Sequence, residues 1–258
     1  MRELERDLPS SARTKVAIVG AGRLGGALAD ALLEVGYEID GPLGRGVAPR
    51  ESDVVLLCVP DREIAAAAAG ISLRAPSPLV GHCSGATGLA ALAPHEAFSL
   101  HPLMTVTAQG ARFRGAGATI AGTTPRALAI ARELASALGM QAVEIAERDR
   151  VAYHAAASMA SNFLITLEGA AERLAATAGV ERSLLVPLVR ATVESWAALG
   201  PERALTGPVA RGDEETVARQ RAEIATRTPE LLGLFDALAH ATRSLAHRPH
   251  RDLAEVAR

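Results

Sequence analysis

The sequence predicts an α/β architecture: a mostly parallel sheet covered on both faces, followed by an all-helical segment. Three observations lead there. Short apolar runs alternate with helical stretches through the first half of the chain. The run within Asp53–Val59 is continuously apolar, as a strand buried on both faces must be. From Asp149 onward no strand-like run occurs, and apolar residues recur at helical spacing instead.

The elements follow in order. Val16–Val19 is a first strand that runs directly into Gly20-Ala21-Gly22-Arg23-Leu24-Gly25, and a helix continues to about Val35, where Gly36 suits a left-handed cap. A second strand covers Tyr37–Leu43. Only about nine residues separate it from the third, fewer than a crossover helix needs, so a truncated turn is expected there. After Pro60 a helix, Ile64–Ala69, leads to a strand at Leu79–His82. Another strand lies near Ala97–Leu100, and a strand, helix and strand cover Ala118–Ile145. Val151–Ala178 reads as one helix of about seven turns, closed by Gly179. Arg182–Leu199 forms a second helix with Pro187 near its start. A third begins after the Gly212-Asp213 cap, and a fourth at Thr228-Pro229, a cap followed by proline at the first helical position. The expected organisation is a flexible segment 1–14, an α/β domain 15–147 and a helical domain 148–258, frayed beyond His247.

Composition excludes several classes of function. The 258 residues, 49% hydrophobic and 22% charged, are ordinary for a globular chain. A net charge of −2 gives no electrostatic basis for binding nucleic acid or an anionic membrane surface. No apolar stretch is long enough to span a bilayer, and the polar N-terminus lacks the apolar core of a signal peptide. Cys58 and Cys83 read as reduced thiols of a cytoplasmic protein, and no metal site is expected.

The loop Gly20-Ala21-Gly22-Arg23-Leu24-Gly25 sits between a strand and a helix, the context that gives such a pattern its meaning. Its first glycine permits a tight turn, the second lets backbone approach a pyrophosphate, and the third allows close helix–strand contact. The helix N-terminus then offers free N–H groups to phosphate. These features together predict a dinucleotide-binding, Rossmann-type domain. Near the end of the second strand, Gly44-Arg45 replaces the acidic residue that would bond a ribose 2′-hydroxyl. A guanidinium suits a 2′-phosphate, so NADP is expected, with Arg23 as a candidate helper. The turn Cys58-Val59-Pro60-Asp61 would run beside the same cofactor.

Candidate chemistry falls at strand ends and on the first long helix. Ser84, after His82, and His101, before Pro102, follow the fourth and fifth strands. Tyr153-His154, Ser158, Ser161 and Asn162 lie on the helix, where His154, Ser158, Ser161 and, less directly, Asn162 share a face. Arg211, beside the cap at Asp213, would suit a substrate anion.

These segments in this order resemble the Rossmann-like proteins that carry the DUF2520 C-terminal domain, from Lys15 to about Leu245. The most specific parts are Tyr153-His154 with Ser161-Asn162 and Thr206-Gly-Pro-Val-Ala-Arg-Gly-Asp213. The resemblance implies an NADP-dependent oxidoreductase, related to 6-phosphogluconate and β-hydroxyacid dehydrogenases and to ketopantoate reductase, with ketopantoate as the specific substrate it suggests. There is one departure. Lysine-dependent members place a lysine four residues before an asparagine on the interdomain helix, where this chain has Ser158 and Asn162. Its single lysine, Lys15, begins the first strand at the opposite end of the sheet. The expected proton donor is therefore His154, with His101 second, because imidazole titrates near neutrality. Asn162 and Ser84 would hold the carbonyl or carboxylate, and Ser158 and Arg211 the rest of a small-molecule substrate. Two other readings stay open: a deazaflavin as electron partner, and a non-catalytic NADP sensor. Alanine-rich helices that pack across a subunit interface would give a homodimer.

Overall fold

The computed structural model describes residues 14–73, 77–107 and 110–247. The expectations for 1–13 and for the tail beyond His247 fall outside them. The chain divides into two compact units between Ser161 and Asn162.

The first unit is built on a seven-stranded sheet of β1 (Lys15–Val19), β2 (Glu38–Leu43), β3 (Val54–Leu57), β4 (Leu79–His82), β5 (Ala97–Leu103), β6 (Gly117–Gly122) and β7 (Gln141–Glu144), in spatial order β2-β1-β3-β4-β5-β6-β7. Neighbours pair in parallel except β5 with β6. Successive residues point to opposite faces of a strand, so the sheet buries two separate cores. On one face Val16, Ile18, Val54, Leu56, Phe98 and Leu100 pack against α1 (Arg23–Glu34) and α3 (Pro125–Ala137). On the other Ala17, Val55, Leu57 and Val80 pack against α2 (Ile64–Ala69) and the turn at Leu89–Leu92. β3 and β4 are buried along their full length. The connection from β2 to β3 contains no helix, as the short spacing predicts. Gly36 takes φ +99° after α1.

β5 extends to Leu103, three residues beyond the expected end, so His101 and Pro102 lie within the strand rather than after it. Pairing with β6, His101 opposite Thr119, holds this extension.

The expected single helix over Val151–Ala178 is interrupted. It divides into α4 (Arg150–Ser158), a π-helical turn at Met159–Phe163, and α5 (Leu164–Ala176). A π turn carries an extra residue, which rotates the next turn of helix by roughly 100°. Asn162, inside the π turn, therefore does not keep the regular spacing from His154 that a uniform helix would give.

The second unit contains α5, α6 (Arg182–Leu199), α7 (Pro201–Ala204), α8 (Glu214–Arg227) and α9 (Leu232–Ala246). Gly179 separates α5 from α6 at φ +75°. Asp213 caps α8 by accepting a hydrogen bond from the Thr216 amide at 3.0 Å. At Thr228-Pro229 a 3-10 turn, Pro229–Leu231, precedes α9. Ala170, Ile224 and Leu231 form a small core, flanked by Leu174, Leu232 and Phe235.

Candidate functional site

In the sheet, the chain leaves β1 for β2 on one side and later returns to place β3 on the other. The reversal opens a crevice at the carboxyl ends of β1 and β3, where open α/β sheets take their ligands. A groove of about 620 Å³ lies there, lined by Gly20–Gly22 after β1, Leu43–Pro49 after β2, Cys58–Pro60 after β3, and Glu63 and Ala66 beside α2.

The glycines have three distinct reasons. Gly20 has φ +120°, and a Cβ on it would collide with the Cys58 carbonyl. A Cβ on Gly25 would strike the Gly20 carbonyl, so this glycine lets α1 approach the strand. At Gly22 a Cβ would meet nothing within 4 Å. Its lack of a side chain serves a space outside the protein, as an approaching pyrophosphate requires. Gly22 is also the N-cap of α1, with no side-chain cap, so the first amides of the helix face that space. The loop thus fits a dinucleotide. Ala21 and Arg23 are exposed beside it, and Leu24 packs on the core.

Arg45, in the turn after β2, donates through Nη2 to both carboxylate oxygens of Glu63, each at 2.9 Å. Asp40 lies inside β2 and accepts from the Arg50 amide at 2.8 Å. Cys58 and Cys83 are free thiols 3.8 Å apart at the ends of neighbouring strands. The neighbouring Cys58 thiol and burial push the Cys83 thiol above its ordinary range.

A second cluster gathers at the carboxyl ends of β4 and β5. His101 Nδ1 is 2.8 Å from the Tyr153 hydroxyl, and the His101 and His154 rings stand 6.0 Å apart in an edge arrangement. Both imidazoles press on Gly85. A Cβ there would come within 2.6 Å of His154 Cδ2 and 2.8 Å of His101 Cε1. Ser84 Oγ donates to Asp61 Oδ2 at 2.7 Å and accepts from the Ala86 and Thr87 amides at 3.1 and 2.9 Å. That uses its one proton and both lone pairs. Ser84 therefore shapes the turn under the histidines rather than offering a hydroxyl to a substrate.

Beneath this cluster sits Arg150, whose side chain is only 2% exposed. It donates to Glu147 Oε1 through Nη2 at 2.6 Å and Nε at 3.2 Å, and through Nη2 to Ser99 Oγ at 3.0 Å. The other oxygen of Glu147 accepts from the Leu89 amide at 3.2 Å. Burial lowers the His101 pKa to about 4, with His154 and Arg150 nearby adding to the effect. Burial and Arg150 lower His82 to about 4 as well. Both imidazoles are neutral at pH 7. Burial raises the Tyr153 pKa, so its hydroxyl keeps its proton.

The structure therefore brings together His101, His154 and Ser84 from the sequence expectation. It adds Tyr153, Asp61, Glu147, Arg150 and Ser99. Ser158 ends α4, and Asn162 and Arg211 belong to the second unit. Of these, Tyr153 had a sequence signal as the neighbour of His154, and Asp61 as the last residue of the Cys58–Asp61 turn. Arg150 and Glu147 read as ordinary charged residues at a helix start, and nothing in their spacing marks a buried guanidinium paired with a carboxylate. Among the described residues no group of three or more His, Cys, Asp or Glu side chains could hold a metal, and no helix is long and apolar enough to cross a membrane.

Residues 116–242 match the family described as domain of unknown function DUF2520. The match includes Tyr153-His154, Ser161-Asn162 and the Thr206–Asp213 segment, and begins after the glycine loop and the strands that line the groove. No curated protein matches the sequence. Among solved structures, a provisionally named NADP oxidoreductase from Bacteroides fragilis superposes with a TM-score of 0.79 at 20% identity, over 90% of this chain and 98% of its own. A Thermotoga maritima protein gives 0.76 at 24%, over 90% and 100%. Pyrroline carboxylate reductase from Plasmodium falciparum, solved with NADP bound, gives 0.57 at 13%, over 90% and 98%. At these identities the likeness is one of fold. The chain has a Rossmann-like fold, and its residues 116–242 are similar to the DUF2520 family.

Proposed function

We propose that the protein is an NADP-dependent oxidoreductase that moves a hydride between the nicotinamide and a small carbonyl or imine substrate. The observation that carries this reading is the placement of two clusters on one edge of the sheet. The glycine loop lies at the carboxyl end of β1, and His101, Tyr153 and His154 lie three strands away, past β3 and β4. Strands are spaced about 4.8 Å apart, so the two clusters are separated by roughly 14 Å, and with the pyrophosphate on the loop the nicotinamide half of a dinucleotide and a small substrate would lie between them. Fold neighbours named for NADP or bound to it, and reductases of imines among them, are compatible with this.

Gly20, Gly22 and the first turn of α1 would hold the pyrophosphate, Arg45 the 2′-phosphate, and Cys58-Val59-Pro60 one wall of the groove. A bound NADPH supplies the hydride. His154 gives the proton to the substrate oxygen or nitrogen. His101 is a poor donor at pH 7 because burial keeps it neutral, and its hydrogen bond with Tyr153 instead fixes both rings beside His154. The unbonded thiols suit a reducing, cytoplasmic setting. A homodimer is part of the same reading, because α6 buries none of its residues.

Steady-state oxidation of NADPH with a panel of 2-ketoacids, ketopantoate first, and cyclic imines tests the proposal. Turnover with at least one class is expected. Tight NADPH binding without turnover on any member would favour the cofactor sensor instead.

A further inference from the structure

The Arg45–Glu63 pair lies in the part of the groove that the adenosine half of a dinucleotide would occupy. Arg45 comes from the turn after β2, and Glu63 from the segment that leads from β3 into α2. Both line the same 620 Å³ space beside Gly20–Gly22. One guanidinium nitrogen reaches both carboxylate oxygens at 2.9 Å. The guanidinium that would take a phosphate thus holds a carboxylate in its place. Glu63 is 29% exposed and Arg45 85%, so the carboxylate is the fixed partner and the guanidinium the mobile one.

We propose that Glu63 is an internal stand-in for the 2′-phosphate, so that the pair, rather than Arg45 alone, sets the choice between NADP and NAD. This rests on the dinucleotide reading above. A 2′-phosphate must either draw Arg45 away from Glu63 or share it, taking Nη1 and Nε while Glu63 keeps Nη2. Opening an exposed pair costs little. The larger cost is the carboxylate left beside a second, more highly charged anion, which is felt even in high dielectric. A ribose 2′-hydroxyl imposes neither cost, because the pair can stay closed and a carboxylate oxygen can accept from it. Glu63 therefore narrows the preference for NADP that Arg45 creates.

The test is binding affinity for NADPH and NADH, measured by fluorescence titration or calorimetry on the full chain, for wild type, Glu63→Gln and Arg45→Ala. Both side chains lie at the surface, so folding, checked by circular dichroism, is not at stake. Glu63→Gln should tighten NADPH roughly tenfold and leave NADH within about twofold. Arg45→Ala should weaken NADPH by about tenfold or more and spare NADH. If Glu63→Gln leaves the NADPH:NADH ratio unchanged, or weakens both alike, the role of Glu63 is overturned while the cofactor reading stands. If wild type binds neither dinucleotide, both fall.

Discussion

His82 is buried and His101 half-buried, and the environment of each works against its charged form. Each has a folded-state pKa of about 4, below the value of about 6.5 expected in the unfolded chain. The unfolded state therefore binds more protons wherever the pH lies between those limits. Stability is fully present above pH 6.5, declines as the pH falls from 6.5 toward 4, and declines no further from these two groups below that. The full loss should be roughly 3 kcal/mol for each histidine. Urea midpoints measured between pH 7 and 4.5 check it. The double variant His82→Gln/His101→Gln should show a flatter profile than wild type, and an equal slope in the two proteins would refute the assignment. The residue types here were legible in the sequence, since His82, Ser84, His101, Tyr153 and His154 all stand in recognisable segments. Their states were not. Ser84 is saturated by partners at Asp61, Ala86 and Thr87, and nothing in the local sequence distinguishes that from a free hydroxyl.

At the level of elements, α4 is tied to β5 through Arg150. Arg150 lies three residues before Tyr153 on one element, and Ser99 two residues before His101 on the other. Their hydrogen bond therefore sets the register in which the tyrosine meets the histidine. The tie has two unequal halves. Removing Glu147 leaves a guanidinium only 2% exposed without its counter-charge, which should cost about 3–5 kcal/mol, on the order found for broken buried pairs. Removing Arg150 leaves a carboxylate that is 49% exposed and can be hydrated, so Arg150→Met should cost only about 1–3 kcal/mol. Urea unfolding of Glu147→Ala and Arg150→Met checks the order, and a reversed order would contradict it. The strands and α2 were readable from apolar runs because burial on both faces leaves no other pattern. The extension of β5 and the π turn at Met159–Phe163 were not readable. Antiparallel pairing with β6 holds the first, and the second alters a hydrogen-bond ladder without altering composition.

For the whole molecule, the division at Ser161/Asn162 lies 14 residues beyond the expected boundary at 147/148. The expectation placed it where the strands stop. The division falls later because Arg150 and Tyr153 make α4 part of the first unit. The second unit raises a different question. Its 18-residue helix α6 has no buried residue, and Leu184, Leu188 and Trp196 are 68%, 64% and 56% exposed. Apolar surface gathered on one helix marks an interface. Sedimentation should therefore give twice the chain mass. Trp196, the sole tryptophan, should show a blue-shifted emission that moves red on dilution into monomer. A monomer at micromolar concentration with solvent-like emission would exclude the dimer.

In the proposed reaction His154 donates the proton that accompanies hydride transfer from a cofactor held by the glycine loop. The decisive measurement is the rate at which NADPH is oxidised by a 2-ketoacid or cyclic imine that the wild type reduces, in wild type and His154→Gln, with NADPH affinity measured on the same samples. Oxidation should slow by about 10²–10⁴ in the variant with affinity unchanged. Equal rates in the two proteins would contradict it.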